Sequence, residues 1–122
     1  MLRRLLFITT LLLSLNGLAQ EQEYQVEFKT NVGKFTVKLY NETPLHRDNF
    51  LALVREGAYN NLLFHRVIKN FMVQAGGDAR EAYKKKFEAL KAKHSKMLPA
   101  EIKYPQLYHK RGALAAARIG DE

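Results

Sequence analysis

From Tyr24 onward the chain alternates apolar and polar residues with a period of two. Tyr24, Val26 and Phe28 fall on one side, and Gln25, Glu27 and Lys29 on the other. After Asn31-Val32-Gly33 the alternation resumes, with Phe35, Val37 and Leu39 opposed to Lys34, Thr36 and Lys38. Period two marks strands with one buried face, and an Asn/Gly turn between two such runs predicts an antiparallel hairpin. The period then lengthens. Thr43-Pro44 reads as a helix start, with threonine as N-cap and proline at the first helical position. His46, Phe50, Leu53 and Val54 share one helical stripe, which Gly57 closes. Further on, Tyr83, Phe87, Leu90, His94 and Met97 recur at intervals of four and three. That spacing predicts an amphipathic helix ending before Pro99.

Between the two helical patterns lies a stretch, residues 62–77, of a different kind. It reads as a short strand around Arg66, a break at Lys69-Asn70, a second strand through Phe71-Met72-Val73, and a stop at Gly76-Gly77. Arg66 would share a strand face with Phe64 and Ile68. A guanidinium stays charged and is costly to bury unpaired, yet no acidic residue lies between Leu62 and Gly77. Two readings follow: an arginine facing a ligand, or a core hairpin whose arginine finds a partner elsewhere on the surface. Phe71 and Met72 offer an aromatic and a pliable apolar surface, and Gln74 both donates and accepts hydrogen bonds. This set suits a peptide with a small apolar ring. The stretch holds no Ser/His/Asp set, no cysteine and no carboxylate pair, so nucleophilic and hydrolytic chemistry have no candidates in it.

Charge and composition add three points. Arg3-Arg4, the apolar run of residues 5–15 and the small-x-small pattern Gly17-Leu18-Ala19 predict a secretory signal peptide over residues 1–19. The run is too short to span a bilayer, which takes about 20 apolar residues, so no stable membrane insertion is expected once it is removed. Its removal leaves one small domain, residues 20–122, with 18 basic against 12 acidic residues. The chain has no cysteine, and the four histidines show no metal-ligand spacing. Residues 80–111 hold ten basic residues against three acidic. That excess reads either as a solvated lysine face or as a docking surface for acidic partners. No aromatic residues punctuate the lysines as base stacking would require, so no nucleic-acid partner is expected.

At its central stretch the chain resembles the cyclophilin family of peptidyl-prolyl cis/trans isomerases. Phe64-His65-Arg66-Val67-Ile68, then Phe71-Met72, Gln74 and Gly76-Gly77-Asp78, match that family's signature with fixed spacing. The resemblance implies a mainly β fold with helices, the N-terminal part of a cyclophilin-like antiparallel β-barrel. The first helix would plug one end of that barrel. The basic helix, residues 79–98, stands where relatives have a loop and is expected to be an insertion. The resemblance also implies that residues 113–118, helical in appearance, form a strand beside the active site. Arg66 would act as the catalytic hydrogen-bond donor. Phe71, Met72 and Gln74 would bind substrate, with the backbone at Ala117 and Arg118 as the other wall. Many relatives carry asparagine where this chain has Arg118. Relatives also continue past Glu122 with further strands, so the barrel is expected to be incomplete and prone to weak self-association at exposed strand edges. The implied function is isomerisation of proline-containing polypeptides during folding of exported proteins, in the periplasm or outside the cell. It needs neither cofactor nor metal. The alternative is a non-catalytic, chaperone-like peptide-binding fragment that docks acidic partners through its basic helix.

Overall fold

The computed structural model describes residues 21–77, 81–94 and 98–118. Residues 1–19, read as a signal peptide, and Met97 of the second helical stripe lie outside the described residues. The element order is β1 (Tyr24–Thr30), β2 (Gly33–Leu39), α1 (Pro44–Arg55), β3 (Arg66–Ile68), β4 (Met72–Gln74) and α2 (Glu81–His94).

β1 and β2 form the expected hairpin, in a register that pairs Tyr24 with Leu39 and Thr30 with Gly33. Two residues, Asn31 and Val32, make the turn. Gly33 adopts φ +143°, and the Thr30 hydroxyl donates to its carbonyl at 2.8 Å. Burial alternates along β1 as the pattern requires and deepens along β2 towards Leu39. Phe28 and Phe35, opposite each other across the ladder, stack with ring centroids 4.6 Å apart.

The polypeptide then turns into α1, which lies against this aromatic pair. Phe50 meets Phe28 at 6.4 Å between centroids and Tyr59 at 5.1 Å. Tyr59 in turn meets Phe87 of α2 at 5.9 Å. At the base of this column Leu53, Ala58 and Phe87 are buried together, with Tyr59, Leu62 and Leu90 packed around them. Leu51 is also buried, although it falls off the stripe read from the sequence. The Arg47 guanidinium sits over the Tyr24 ring at 5.6 Å and donates to Asn41 Oδ1 at 2.7 Å, so the start of α1 is fixed to the hairpin.

Both ends of α1 are closed by identifiable groups. At the C-terminal end Gly57 takes φ +68°. Its N–H donates to the Val54 carbonyl and that of Ala58 to Leu53, the reversed double bond that favours glycine after a helix. At the N-terminal end the Thr43 backbone takes the cap position, with proline next, but the Thr43 side chain makes no cap bond. Its hydroxyl points back to the Tyr40 carbonyl. The cap is Glu101 instead, whose carboxylate accepts from the N–H groups of Leu45 and His46 at 3.1 and 2.8 Å and from His46 Nδ1 at 2.7 Å. An ionised carboxylate makes stronger bonds than a hydroxyl and answers the positive end of the helix dipole, so it prevails over the local threonine.

α2 carries the predicted apolar stripe, with Phe87 buried and Tyr83, Leu90 and His94 partly so. Its last turn is tied to the end of α1. Glu56 Oε1 accepts from Lys93 Nζ at 2.8 Å and from His94 Nε2 at 2.5 Å. These bonds, that from Lys93 first, hold the Glu56 carboxyl below its ordinary range.

Two expectations, the helix plug and the strand at residues 113–118, are corrected. The described residues form two separate two-stranded sheets, β1–β2 and β3–β4, and no closed barrel. α1 therefore packs on a hairpin face and plugs no barrel end. Residues 113–118 are neither helix nor strand and lie exposed. A strand needs a ladder partner for its N–H and C=O groups, and none of the described strands pairs with this segment. Among the described residues no helix is long and apolar enough to cross a membrane.

Two outcomes follow from this packing. Leu53→Ala, at a side chain 3% exposed in the central cluster, should cost about 2 to 5 kcal/mol in urea unfolding. Burial alone would raise the pKa of Glu101, but its bonds from His46 and Leu45 outweigh that and lower it. A depressed folded-state pKa adds stability that is complete above the unfolded-state value and is lost as pH falls through the folded one. Glu101→Ala should therefore cost roughly 1 to 2 kcal/mol near neutrality. Its difference from the parent chain should shrink as urea midpoints are followed down to about pH 3; a pH-independent difference would count against the carboxylate cap.

Candidate functional site

The residues singled out in the sequence centre on the second hairpin. β3 and β4 are three residues each and pair Arg66 with Gln74, Val67 with Val73 and Ile68 with Met72. The connecting turn is tight. The Phe71 N–H donates to the Ile68 carbonyl at 3.1 Å, and Asn70 adopts φ +60°, a conformation that asparagine tolerates better than most residues. Phe71 thus sits at the end of the turn rather than in the second strand, and β3 begins at Arg66, so Phe64 lies outside it.

Pairing in this register sorts the side chains. Arg66, Ile68, Met72 and Gln74 project from one face, Val67 and Val73 from the other. Arg66 Nη1 donates to Gln74 Oε1 at 3.3 Å. Among the described residues no carboxylate pairs with Arg66. Among the described residues the guanidinium is therefore oriented by a neutral amide, which neutralises none of its charge. Met72 and Gln74 are half-buried, while Phe71 beside them is 76% exposed. One face thus presents a fixed cation, an amide with its NH2 group still able to donate, and a flexible thioether, next to an open aromatic ring. Such a face can hold a carbonyl and an apolar ring side by side. It has no group able to form a covalent intermediate.

The structure brings Arg66, Met72 and Gln74 together, with Phe71 adjoining them. It does not place Ala117 and Arg118 in a strand against them; both lie in the exposed, irregular residues 113–118. The Arg66–Gln74 bond was missed in the sequence, although a turn at Lys69–Asn70 sets positions eight apart opposite one another and could have revealed it. Ile68, which completes the face, was read only as a neighbour of Arg66. On α2, Lys84, Lys85 and Lys86 are exposed, whereas Lys93 is engaged by Glu56. Among the described residues no group of His, Asp or Glu side chains could hold a metal ion.

Comparison with known proteins bears on this arrangement. The family profile described as cyclophilin type peptidyl-prolyl cis-trans isomerase/CLD matches residues 25–122. A peptidyl-prolyl cis-trans isomerase-like 1 protein of Aspergillus fumigatus is 56% identical over 52 residues, 42% of this chain and 32% of that relative. A peptidyl-prolyl cis-trans isomerase of Acinetobacter baylyi is 46% identical over 68 residues, 55% of this chain and 35% of the relative. Peptidyl-prolyl cis-trans isomerase B of Escherichia coli is 49% identical over 53 residues, 43% of this chain and 32% of the relative. The chain thus spans about a third of the length of these curated relatives. No solved structure matches it. With a profile match over most of its length, including the hairpin that carries Arg66 and Gln74, the chain belongs to the cyclophilin-type peptidyl-prolyl cis-trans isomerase family.

Proposed function

We propose that the face bearing Arg66, Met72 and Gln74 binds proline-containing polypeptides and catalyses cis-trans isomerisation of the bond preceding proline. The observation that carries this reading is the placement of a guanidinium, oriented by the neutral amide of Gln74, beside an apolar surface on one strand face. A peptide bond resists rotation by about 20 kcal/mol because the nitrogen lone pair is delocalised into the carbonyl. At proline the two planar isomers are close in energy but exchange in roughly 10 to 100 s. Twisting localises the lone pair on nitrogen, and a donor aimed at the prolyl amide stabilises the twisted form over either planar one. In this reading Arg66 is that donor, Phe71 and Met72 hold the proline ring, and Gln74 anchors the substrate backbone. No bond is made or broken, so the chemistry calls for neither metal nor cofactor.

The second reading is a peptide-binding module without catalysis, which docks acidic partners through α2. The open apolar side chains of the hairpin and the exposed Lys84, Lys85 and Lys86 favour it. A proline-peptide isomerisation assay separates the two. Arg66→Ala should lower kcat/KM by about 100-fold, the scale of removing one transition-state donor. Equal, uncatalysed rates for the parent and Arg66→Ala, with peptide still bound, would leave the binding module standing.

The clients are proposed to be exported proteins, because the basic start, apolar run and Gly17-Leu18-Ala19 together form a secretory signal. Expressed in a bacterium, the chain should be recovered from the periplasm or medium with Gln20 as its first residue by mass spectrometry. Recovery of uncut chain from the cytoplasm alone would overturn this.

A further inference from the structure

The site hairpin is too small to hold its own geometry. It has three residue pairs, and Val67 and Val73 on its second face are 67% and 61% exposed. A two-stranded ribbon is marginal in water without packing against something else. The segment leading into it passes Leu62, which packs on the Leu53–Ala58–Phe87 cluster. The segment leading out is held more closely. Gly76 takes φ +92°, and a Cβ there would sit 3.6 Å from Tyr59 Cε1 and 3.9 Å from Phe87 Cζ. On Gly77 a Cβ would lie 3.5 Å from the His65 ring. The exit of β4 therefore lies against two aromatic ring edges, with the imidazole beside its second glycine.

Of those two rings, Tyr59 follows α1 directly, but Phe87 belongs to α2. Phe87 is 7% exposed, and burial raises the pKa of the Tyr59 phenol beside it. α2 is itself fixed to the end of α1, since Glu56 receives both Lys93 and His94. We infer that Phe87 is a positioning residue for the site. From α2, and through Tyr59 and the Gly76-Gly77 exit, it fixes where Gln74 stands and so how the Arg66 guanidinium is held. This rests on reading that face as the peptide site. Phe87 touches no substrate in this scheme; it acts two residues beyond Gln74, by the shape of the ring that Gly76 lies against. The basic helix thereby belongs to the machinery of the site rather than to its surroundings.

The test uses the full chain and two readouts, residue-resolved amide exchange and binding of a proline-containing peptide. Phe87→Ala should speed exchange across β3–β4 by about tenfold or more while β1–β2 changes by less than about twofold. Peptide affinity should weaken by about tenfold, and Phe87→Leu should restore most of both. Glu56→Gln, which leaves the core intact and loosens only the end of α2, should give the same pattern with smaller amplitude. It decides the matter if Phe87→Ala fails to fold. Unchanged exchange at β3–β4 in these variants, or an equal rise in β1–β2, would overturn the inference. Phe71→Ala, at the ring proposed to hold the proline, separates it from the functional reading. If Phe71→Ala leaves peptide binding intact the site assignment fails, and the exchange data still judge Phe87. If Phe71→Ala abolishes binding and Phe87→Ala alters nothing, the positioning role alone falls.

Discussion

Everything described depends on a column of five aromatic rings that crosses the structure from the first hairpin to the last helix. Phe35, Phe28, Phe50, Tyr59 and Phe87 follow one another at 4.6, 6.4, 5.1 and 5.9 Å between centroids. Each ring comes from a different element or junction: β2, β1, α1, the turn after α1, and α2. Large rings bury the most area per residue and prefer offset or tilted contacts. A short chain can join its pieces this way with little aliphatic core: the column runs from Phe35, 46% exposed, to Phe87, 7% exposed, and among the described residues the other buried apolar side chains are Leu39, Leu51, Leu53 and Ala58. The second hairpin does not contribute a ring to the column. It is attached alongside, by Leu62 on one side and Gly76 on the other.

Charged groups finish what the rings begin. α1 meets a carboxylate–histidine contact at each end: Glu101 with His46 at the start, Glu56 with His94 just past the finish. An ionised carboxylate only accepts, so His46 Nδ1 and His94 Nε2 each carry the proton in these bonds. One contact recruits the segment after α2 and the other recruits α2 itself. The same short helix therefore organises both later parts of the chain, and the second hairpin lies in sequence between that helix and the two of them.

Periodic features were legible without coordinates because their cause is local. Alternation gave the strands of the first hairpin, proline and glycine bounded α1, and four-three spacing gave the buried face of α2. What could not be read depends on partners distant in sequence. Glu101 lies 55 residues from the His46 it serves, and nothing near Thr43 signals that a better acceptor will displace its hydroxyl. Leu51 is buried off the stripe for a similar reason, since a helix read alone shows one apolar face and not a second contact. The barrel and the strand at residues 113–118 came from likeness to relatives, and pairing of that kind needs neighbouring strands to supply the ladder. At the candidate site the residue types came from the motif, whereas the Arg66–Gln74 bond emerged only once the Asn70 turn set the register.

The left-handed glycine after α1 has a consequence for how this chain tolerates changes in length. Gly57 reverses the backbone so that Tyr59, two residues on, lands between Phe50 and Phe87. An added or deleted residue between Gly57 and Tyr59 would swing that ring out of the column and loosen both α2 and the second hairpin. The turn at Asn31 and Val32 is the opposite case. Val32 is 89% exposed and nothing lies within 4 Å of a Cβ built on Gly33. Tags, labels or grafted loops belong at that tip, where the ladder below can absorb them.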